Sequence, residues 1–307
     1  MEIIDNLRKL EALRKRSVVT IGNFDGIHAG HRELIKETRL LSERNNISSI
    51  VLTFDPLPEE FFKREGFFKL MPMTDKLQHF REAGIDVVIN IPFTKEFSEM
   101  SASDFINEIL INKLQTQYLI VGKDFKFGNN REGNYDTLSN EKSFKTNIVN
   151  IIKDCDVKIS SSMIRKLIMR GDVERANNYL ANRFAMDGYI VHGEKMGRKL
   201  GYPTANIEIC KSFPINGIFL VEVVIENTEV KFGLASIGNK PTFSGKKDVL
   251  EVFIFDYNSE IYGKKMKVYF YEKLRNQIKF ENQEDLIMQM DNDTANAKNV
   301  LKAKYGL

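Results

Sequence analysis

Cysteine is scarce in this sequence, with only Cys155 and Cys210 among 307 residues. The two lie far apart and form no CxxC pair, which argues against a disulfide framework and a thiolate metal cluster. The sequence also lacks the apolar run of roughly 20 residues that a membrane-spanning helix requires. Its first segment, MEIIDNLRKLEALRKR, is charged and lacks the apolar core of a signal peptide. We therefore expect a cytoplasmic protein with no membrane partner.

Positive and negative charges are nearly balanced, so the charge of the sequence does not indicate a nucleic-acid partner. Lysine and arginine number 45 and aspartate and glutamate 42, which leaves a net charge of only +3. Because no basic stripe and no helix-turn-helix pattern is found, we expect no nucleic-acid binding. The charge balance is compatible with small anionic ligands such as nucleotides. Weak homo-oligomerisation stays open.

The first part of the chain alternates strand-like and helix-like segments. Apolar, β-rich runs cover residues 17–21, 47–54, 87–91 and 118–121. Helical patterns begin near Gly30 and also cover residues 77–83, 105–114, 161–170 and 173–180. This alternation predicts an α/β domain with a parallel sheet and helices on both of its faces.

The pattern changes after about residue 184. Short strand-like runs, separated by Gly, Asn or Pro turns, cover residues 186–192, 217–225, 231–237, 250–255 and 265–271. One helical stretch follows near residues 283–290. The pattern predicts a small antiparallel β-barrel with a C-terminal helix. We place the two domains at residues 1–183 and 184–307.

The segment GNFDGIHAGH, residues 22–31, lies where a predicted strand passes into a helix. Glycines let the backbone approach a ligand, and a helix N-terminus attracts phosphate. His28 and His31 can share one helical face, where two imidazoles could stabilise charge developing on a phosphate. A tight turn with two satisfied histidines is the alternative. A zinc site is weaker because no third ligand lies nearby.

The segment ISSSMIR, residues 159–165, places Ser160, Ser161 and Ser162 at a helix start and Arg165 in its first turn. Helix capping is the simpler interpretation of the serines. Hydroxyls, free N–H groups and an arginine also form a cradle for an anion. Because ligands of parallel sheets bind at the carboxyl ends of the strands, both segments could line one pocket.

These two segments resemble the signature segments of the adenylyltransferase module in bacterial bifunctional riboflavin kinase/FAD synthetases. TFDPLP at 53–58 and VGKDFKFG at 121–128 are similar to two further segments of that family, in the same order. The resemblance implies a Rossmann-like nucleotidyltransferase domain in which His28 and His31 contact ATP phosphates and Arg165 closes over the nucleotide. The other ATP- or flavin-binding residues that we assign on this resemblance are Gly22, Asn23, Phe24, Asp25, Gly30, Pro56, Pro58, Asp124, Ser160, Ser161 and Ser162.

The second half contains no P-loop pattern GxxxxGK[ST] but carries GEKMGRKLGYPTAN at residues 193–206. A loop of glycines and cations can fold over a triphosphate, although a charged surface hairpin is the more common meaning. Thr204 and Asn206 alternate, so an extended strand turns both to one side. A hydroxyl and an amide oxygen placed in this way can bind Mg²⁺.

The run LEVFIFD, residues 250–256, places a carboxylate within an apolar strand. Strand alternation puts Glu251 on the same face as Phe253 and Phe255. Partial desolvation there suits a general base that accepts the proton of an alcohol during phosphorylation. A glutamate at the exposed end of the strand is the alternative.

The C-terminal half resembles riboflavin kinase through GRKLGYPTANI, LEVFIFD and the LR pair at 274–275, in that order. The resemblance implies a six-stranded barrel with Mg²⁺ bound by Thr204 and Asn206. It also implies that Glu251 activates the ribityl hydroxyl and that Arg275 lies on the flavin side. The loop residues that we assign to ligand binding are Gly193, Lys195, Gly197, Arg198, Gly201 and Pro203.

We therefore expect a bifunctional enzyme that converts riboflavin and ATP to FMN in the barrel, and FMN and ATP to FAD and pyrophosphate in the N-terminal domain. An enzyme that keeps only one activity, with the other site retained but weak, is one alternative. A nucleotidyltransferase for another phosphate ester is a second, and the barrel motif argues against it. A flavin-binding regulator is the third, and the lack of a DNA-reading motif argues against it.

Overall fold

The computed structural model describes residues 1–5, 15–192, 201–208, 215–242 and 245–306, with side chains for all of these except 239–242 and 245–249. Its internal contacts divide the chain into two compact units, Met1–Met163 and Ile164–Leu307. Compactness and function need not divide a chain at the same residue, so the domain boundary at 183/184 stays a prediction.

A six-stranded parallel sheet forms the centre of the first unit. Its strands are β1 (Glu2–Ile4), β2 (Ser17–Ile21), β3 (Ser48–Phe54), β4 (Val87–Ile91), β5 (Thr116–Gly122) and β6 (Lys145–Val149). They lie in the order β1-β4-β3-β2-β5-β6, and every neighbouring pair is parallel. The predicted Rossmann-like α/β class is confirmed. Sequence patterns missed β1 and β6, which lie at the two edges and are less buried than the inner strands.

Helices connect the strands of this unit. They are α1 (Ala29–Asn45), α2 (Pro58–Phe61), α3 (Met73–Glu82), α4 (Lys95–Ser98), α5 (Ala102–Asp104, continued by a π-helix over Phe105–Lys113) and α6 (Tyr135–Ser139). A small hairpin follows, formed by β7 (Lys153–Asp154) and β8 (Val157–Lys158), and α7 (Ser161–Met169) comes next. Strand β2 is buried along its whole length, which is typical of a parallel sheet covered on both faces.

The second unit contains α8 (Val173–Asn177) and a closed antiparallel barrel. The barrel strands are β9 (Ala185–Val191), β10 (Thr204–Glu208), β11 (Gly217–Ile225), β12 (Glu229–Thr242), β13 (Gly245–Ile254) and β14 (Lys265–Arg275). The C-terminal α9 covers Gln283–Val300 and ends in a π-helical turn at Leu301–Tyr305. Six strands and a C-terminal helix were expected, and both are confirmed.

The barrel has two apolar regions, because strand alternation separates its inside from its outside. Val252 and Ile254 of β13 are buried on one face, and Val268 and Phe270 are buried on β14. Ala297 and Leu301, at the end of α9 and just after it, pack on a second cluster with Leu220, Phe255 and Tyr271. The C-terminal helix therefore covers part of the barrel surface.

We expect Asn177→Ala to destabilise the second unit. The Asn177 amide donates to the Phe270 carbonyl at 2.7 Å and accepts the Phe184 N–H at 2.8 Å, so α8 is bonded to the barrel. Losing both bonds costs about 1–3 kcal/mol, which hydrogen exchange of the β11 and β14 amides would measure. Asn178→Ala, at the exposed neighbouring position, is the control. Equal protection in both variants would contradict this account of α8.

Candidate active sites

The structure brings the two N-terminal motifs into contact. Strand β2 ends at Ile21, the turn of residues 22–28 follows, and His28 is the N-cap residue of α1. The Ser161 hydroxyl, at the start of α7, donates to the main-chain carbonyl of Asp25 at 2.9 Å. These residues are 136 positions apart in the chain. The two segments therefore meet at the carboxyl end of β2, where ligands of parallel sheets bind.

The turn of residues 22–28 has an unusual backbone. Phe24 (φ 47°) and Ile27 (φ 41°) adopt positive φ although neither is glycine, and Gly26 has φ 81°. Such residues cost on the order of 1–3 kcal/mol each and persist only where surrounding contacts hold them. The buried Asp25 carboxylate supplies such contacts, because it accepts the N–H groups of residues 70 and 71 at 2.9–3.2 Å.

His28 and His31 form a stacked pair whose ring centroids lie 3.7 Å apart at an angle of 18°. His28 is buried and His31 is partly exposed, but within the described part of the chain the Nδ1 atom of each ring is buried without a hydrogen-bond partner. The alternative of two satisfied histidines does not match these atoms. A buried polar atom without a partner is rare and suggests a functional role.

Both imidazoles are neutral near pH 7. Burial lowers the pKa of His28 to about 4, with further contributions from the positive charges of Arg32 and Lys158. Burial also holds the pKa of His31 well below its usual range, assisted by the charges of the neighbouring His28 and Lys76. A neutral imidazole has one N–H donor, so the pair can donate hydrogen bonds to an anion without carrying a charge.

The serines at the start of α7 have different environments. Ser160 accepts the Met163 N–H at 3.3 Å and so caps the helix, as the simpler interpretation holds. Ser161 links α7 to the turn, and Ser162 is exposed. Arg165 lies one turn further along α7 and is 8% exposed. Capping and the connection to the turn therefore use two of the three hydroxyls.

Charged residues that the motifs did not reveal surround the turn. The Asn23 amide donates to Glu59 at 3.0 Å, and the buried Lys76 donates to the Asn23 carbonyl at 2.9 Å. Lys158 forms an ion pair with Asp124, the predicted ligand-binding residue. Lysine normally predicts exposure, so the sequence contains no signal for a buried Lys76.

Aromatic rings cluster beside α2, which begins at Pro58. Phe61, Phe62 and Phe93 contact one another with centroids 5.1–5.9 Å apart, and Phe62 is 64% exposed. Phe125 and Phe127 form a parallel stack at 5.5 Å. Exposed aromatic surface of this kind is suited to a flat apolar ligand. Sequence reasoning missed these side chains because phenylalanine alone does not distinguish core from ligand surface.

On the barrel, the predicted metal ligands and the predicted base lie on neighbouring strands. Asn206 of β10 pairs directly with Glu251 of β13, and Thr204 pairs with Phe253. These four side chains are half-buried, whereas the intervening Ala205, Ile207, Leu250 and Val252 are buried. Thr204, Asn206, Glu251 and Phe253 therefore share the outer face of the barrel, as strand alternation predicts.

The remaining predicted barrel residues surround this face or lie outside the described residues. Gly201 adopts φ 84° with open space at its Cβ position, and Pro203 is exposed just before β10. Gly193, Lys195, Gly197 and Arg198 lie outside the described residues. Arg275 makes a two-pronged ion pair with Asp293 of α9, with Nε–Oδ1 and Nη2–Oδ2 distances of 2.9 and 2.6 Å.

Tyr202 contacts both the outer face of the barrel and the C-terminal helix, although no motif predicted a role for it. Its ring meets Phe253 edge-on with centroids 4.9 Å apart, and its hydroxyl bonds to Asp291 of α9. Burial, together with the Asp291 carboxylate, raises the pKa of Tyr202 to about 12. Its phenol thus stays protonated and can keep donating to the carboxylate.

Two features are absent from the described residues. No group of three or more His, Cys, Asp or Glu side chains there is arranged to hold a metal ion. The predicted ligands Thr204 and Asn206 are of other types, a hydroxyl and an amide. Among the same residues, no helix combines the length and the apolar character needed to cross a membrane.

Comparisons with known proteins agree with the two-unit architecture. A family model for FAD synthetase matches residues 10–163, and one for riboflavin kinase matches residues 180–301. The bifunctional riboflavin kinase/FMN adenylyltransferase of Buchnera aphidicola subsp. Schizaphis graminum is 36% identical over 301 residues, covering 95% of this chain and 96% of that protein. Its counterpart in Haemophilus influenzae is 36% identical over 303 residues, covering 97% and 98%.

A solved structure is similar over almost the same length. The crystal structure described as a macrolide-efflux protein from Streptococcus pneumoniae matches with a TM-score of 0.85 and 29% sequence identity. The match covers 97% of this chain and 98% of that one. The order of the two units is therefore shared with a protein of known structure.

We expect the first unit to lose stability as the pH falls from 6.5 to 4. His28 has a pKa of about 4 here against 6.5 ordinarily, so the unfolded chain binds more protons in that window. Stability is fully present above pH 6.5 and declines by about 3 kcal/mol on acidification through this group alone. Hydrogen exchange of the β2 and β3 amides at several pH values would measure the loss.

His28→Asn should flatten this pH dependence, because asparagine does not titrate. His192→Gln, which removes an exposed histidine from the other unit, is the control and should leave the slope of the first unit unchanged. An unaltered slope in the His28 variant would contradict the assignment of a buried neutral imidazole.

Proposed function

Because this chain belongs to the family of bifunctional riboflavin kinase/FMN adenylyltransferases, we propose an assignment of its two reactions to the residues described above. The protein is a transferase that phosphorylates riboflavin to FMN through its C-terminal domain. Its N-terminal domain adenylylates FMN to FAD with release of pyrophosphate. ATP, riboflavin and FMN are its small-molecule substrates.

For adenylyl transfer, we propose that the FMN phosphate attacks the α-phosphorus of ATP and pyrophosphate departs. The phosphate is already ionised, so no protein base is needed, and the protein supplies alignment and charge stabilisation. His28 and His31 donate hydrogen bonds to the nucleotide phosphates, and Arg165 and Lys158 contribute positive charge. The stacked, neutral imidazole pair at the carboxyl end of β2 is the observation that carries this assignment.

We assign the remaining N-terminal residues to roles that their positions support. Gly22 and Gly30 keep the turn open: a Cβ at Gly22 would lie 3.2 Å from the Phe24 ring, and one at Gly30 would lie 3.3 Å from the His28 ring. Asn23, Asp25 and Ser161 hold the turn, whereas Ser160 caps α7 and Ser162 faces the nucleotide. Pro56, Pro58 and the exposed Phe62 border the flavin ring, and Asp124 lies between flavin and ATP.

For phosphorylation, we propose that Glu251 accepts the proton of the ribityl hydroxyl. The oxygen of that hydroxyl attacks the γ-phosphorus of ATP, and ADP departs. Thr204 and Asn206 would hold Mg²⁺, because a hydroxyl and an amide oxygen on one strand face are the ligand types that this ion accepts. When bound, Mg²⁺ neutralises charge on the phosphates. The pairing of Asn206 with Glu251 carries this assignment, and Arg275, held by Asp293, lies on the flavin side.

The domain division and setting complete the proposal. We place the adenylyltransferase domain at 1–183 and the kinase domain at 184–307; the match to riboflavin kinase from residue 180 and the start of β9 at Ala185 support this division. Gly193, Lys195, Gly197, Arg198, Gly201 and Pro203 are assigned to ATP. We further propose a cytoplasmic enzyme without nucleic-acid or membrane partners.

Substitutions at the two sites should separate the two reactions. A His28→Asn/His31→Asn variant should lower kcat of adenylyl transfer by about 10²–10³, because it removes hydrogen bonds made to developing charge. Glu251→Gln should lower kcat of riboflavin phosphorylation by about 10²–10⁴, because it removes the base. Each variant should keep the other activity within about twofold, measured by chromatographic separation of riboflavin, FMN and FAD. Loss of both steps in a folded variant would contradict two independent sites.

The Mg²⁺ assignment predicts a selective change in metal requirement. Thr204→Val and Asn206→Leu keep the side-chain size but remove the oxygen ligands, so half-maximal kinase activity should require at least about tenfold more Mg²⁺. The control is Thr228→Val at the exposed turn between β11 and β12. If both variants required the same Mg²⁺ concentration for the kinase step as the wild type, Thr204 and Asn206 would not be ligands of the ion.

A further inference from the structure

Lys76 is buried beside the adenylyl-transfer site, and the mechanism above does not use it. Its side chain lies in the first turn of α3 and is only 3% exposed. Lysine is seldom buried to this extent, because removing an ammonium group from water is costly unless it is paired and hydrogen-bonded. A specific contact must therefore hold it there.

That contact is with the turn that carries the histidines. Lys76 Nζ donates to the Asn23 carbonyl oxygen at 2.9 Å, and the Thr53 hydroxyl donates to the same oxygen at 3.3 Å. Asn23 immediately precedes Phe24, the first residue of the turn with positive φ. The turn is thus bonded to α3 and to β3 at the residue where its unusual backbone begins.

The charges around Lys76 explain why the ammonium tolerates its position. Asp25 and Asp55 attract it, Lys69 repels it, and its charge also acts on His31 of α1. Burial outweighs these partners and lowers the pKa of Lys76 to about 8. A charged donor makes a stronger hydrogen bond to a carbonyl than a neutral one.

We propose that Lys76 is a positioning residue for adenylyl transfer: its bond to the Asn23 carbonyl holds the turn of residues 22–28 so that His28 and His31 face the nucleotide phosphates. This inference rests on the proposed function of the histidine pair. The bond from Lys76 stabilises the conformation of the turn and so the position of the imidazoles. Loss of this bond should therefore lower kcat of adenylyl transfer. Riboflavin phosphorylation, which uses the barrel, should not change.

The test compares Lys76→Met with Lys36→Met in the full-length protein. Methionine keeps the length of the side chain without the donor, whereas Lys36 lies exposed on α1 and serves as the matched control. We expect Lys76→Met to lower kcat of adenylyl transfer at least about tenfold, with KM for ATP changed less and phosphorylation within twofold. Because the variant removes one member of a buried group of charges, the first unit should also become less stable, so activity is measured where hydrogen exchange shows the variant to be folded. A merely structural lysine would lose stability but keep the wild-type kcat in the folded fraction.

Two further measurements keep the inference testable if Lys76→Met does not fold. Thr53→Val removes the second donor to the same carbonyl and should lower kcat of adenylyl transfer in the same direction. In the wild type, kcat of adenylyl transfer should fall as the pH rises through about 8, where Lys76 loses its proton. In Lys76→Arg, which stays charged throughout this range, this decline should be absent.

Two results would overturn the inference. One is adenylyl transfer within twofold of wild type in Lys76→Met. The other is adenylyl transfer within twofold of wild type in Thr53→Val, together with a wild-type kcat that does not change between pH 7 and 9.5. If His28→Asn/His31→Asn still abolished adenylyl transfer in that case, the proposed function would stand and only the role of Lys76 would be wrong. If both the histidine variant and the Lys76 variant retained adenylyl transfer, the site assignment itself would be wrong.

Discussion

The first candidate active site depends on the turn between β2 and α1. The backbone of this turn would not keep its conformation without contacts from other parts of the chain. Phe24 and Ile27 carry positive φ without being glycine, which is unfavourable unless other contacts compensate. Compensation comes from three directions: Asp25 accepts main-chain N–H groups of residues 70 and 71, Ser161 donates from α7, and Lys76 donates from α3. Residues far apart in sequence therefore determine where the two imidazoles lie.

The same turn explains why the histidines are neutral. Its position at the end of a buried strand removes the rings from water, and the neighbouring cations Arg32 and Lys158 add to the effect on His28. Both substrates of adenylyl transfer are anions, so a site for them needs hydrogen-bond donors and positive charge, and burial makes it costly for the imidazoles themselves to carry that charge. In the assignment that we propose, the neutral rings supply the donors, and the surrounding lysine and arginine side chains supply the charge. Donors that are fixed before the reaction require no reorganisation when charge develops.

Periodicity predicted the fold better than it predicted the sites. The inner strands of the sheet and five of the barrel strands follow apolar patterns, because burial of alternate or consecutive residues leaves a clear signal. The edge strands β1 and β6 were not predicted, because they are short or less buried and leave a weaker apolar pattern. Around the sites, the motifs indicated His28, Ser161 and Glu251. Lys76, Phe62, Tyr202 and Asp293 were missed, because their importance arises from contacts with residues 18 to 89 positions away in the chain.

The contacts of α9 connect the C-terminal helix to residues that we assign to the kinase site. Asp291 bonds to Tyr202, and Asp293 pairs with Arg275. Residues two apart on a helix point to different sides, so α9 is held on two sides at once and its rotation is fixed. Tyr202 in turn packs against Phe253, which shares the outer face of the barrel with Glu251. A shift of α9 would therefore move both an aromatic neighbour of the proposed base and the arginine that we assign to the flavin side, which would link the packing of the last helix to the proposed chemistry of the barrel.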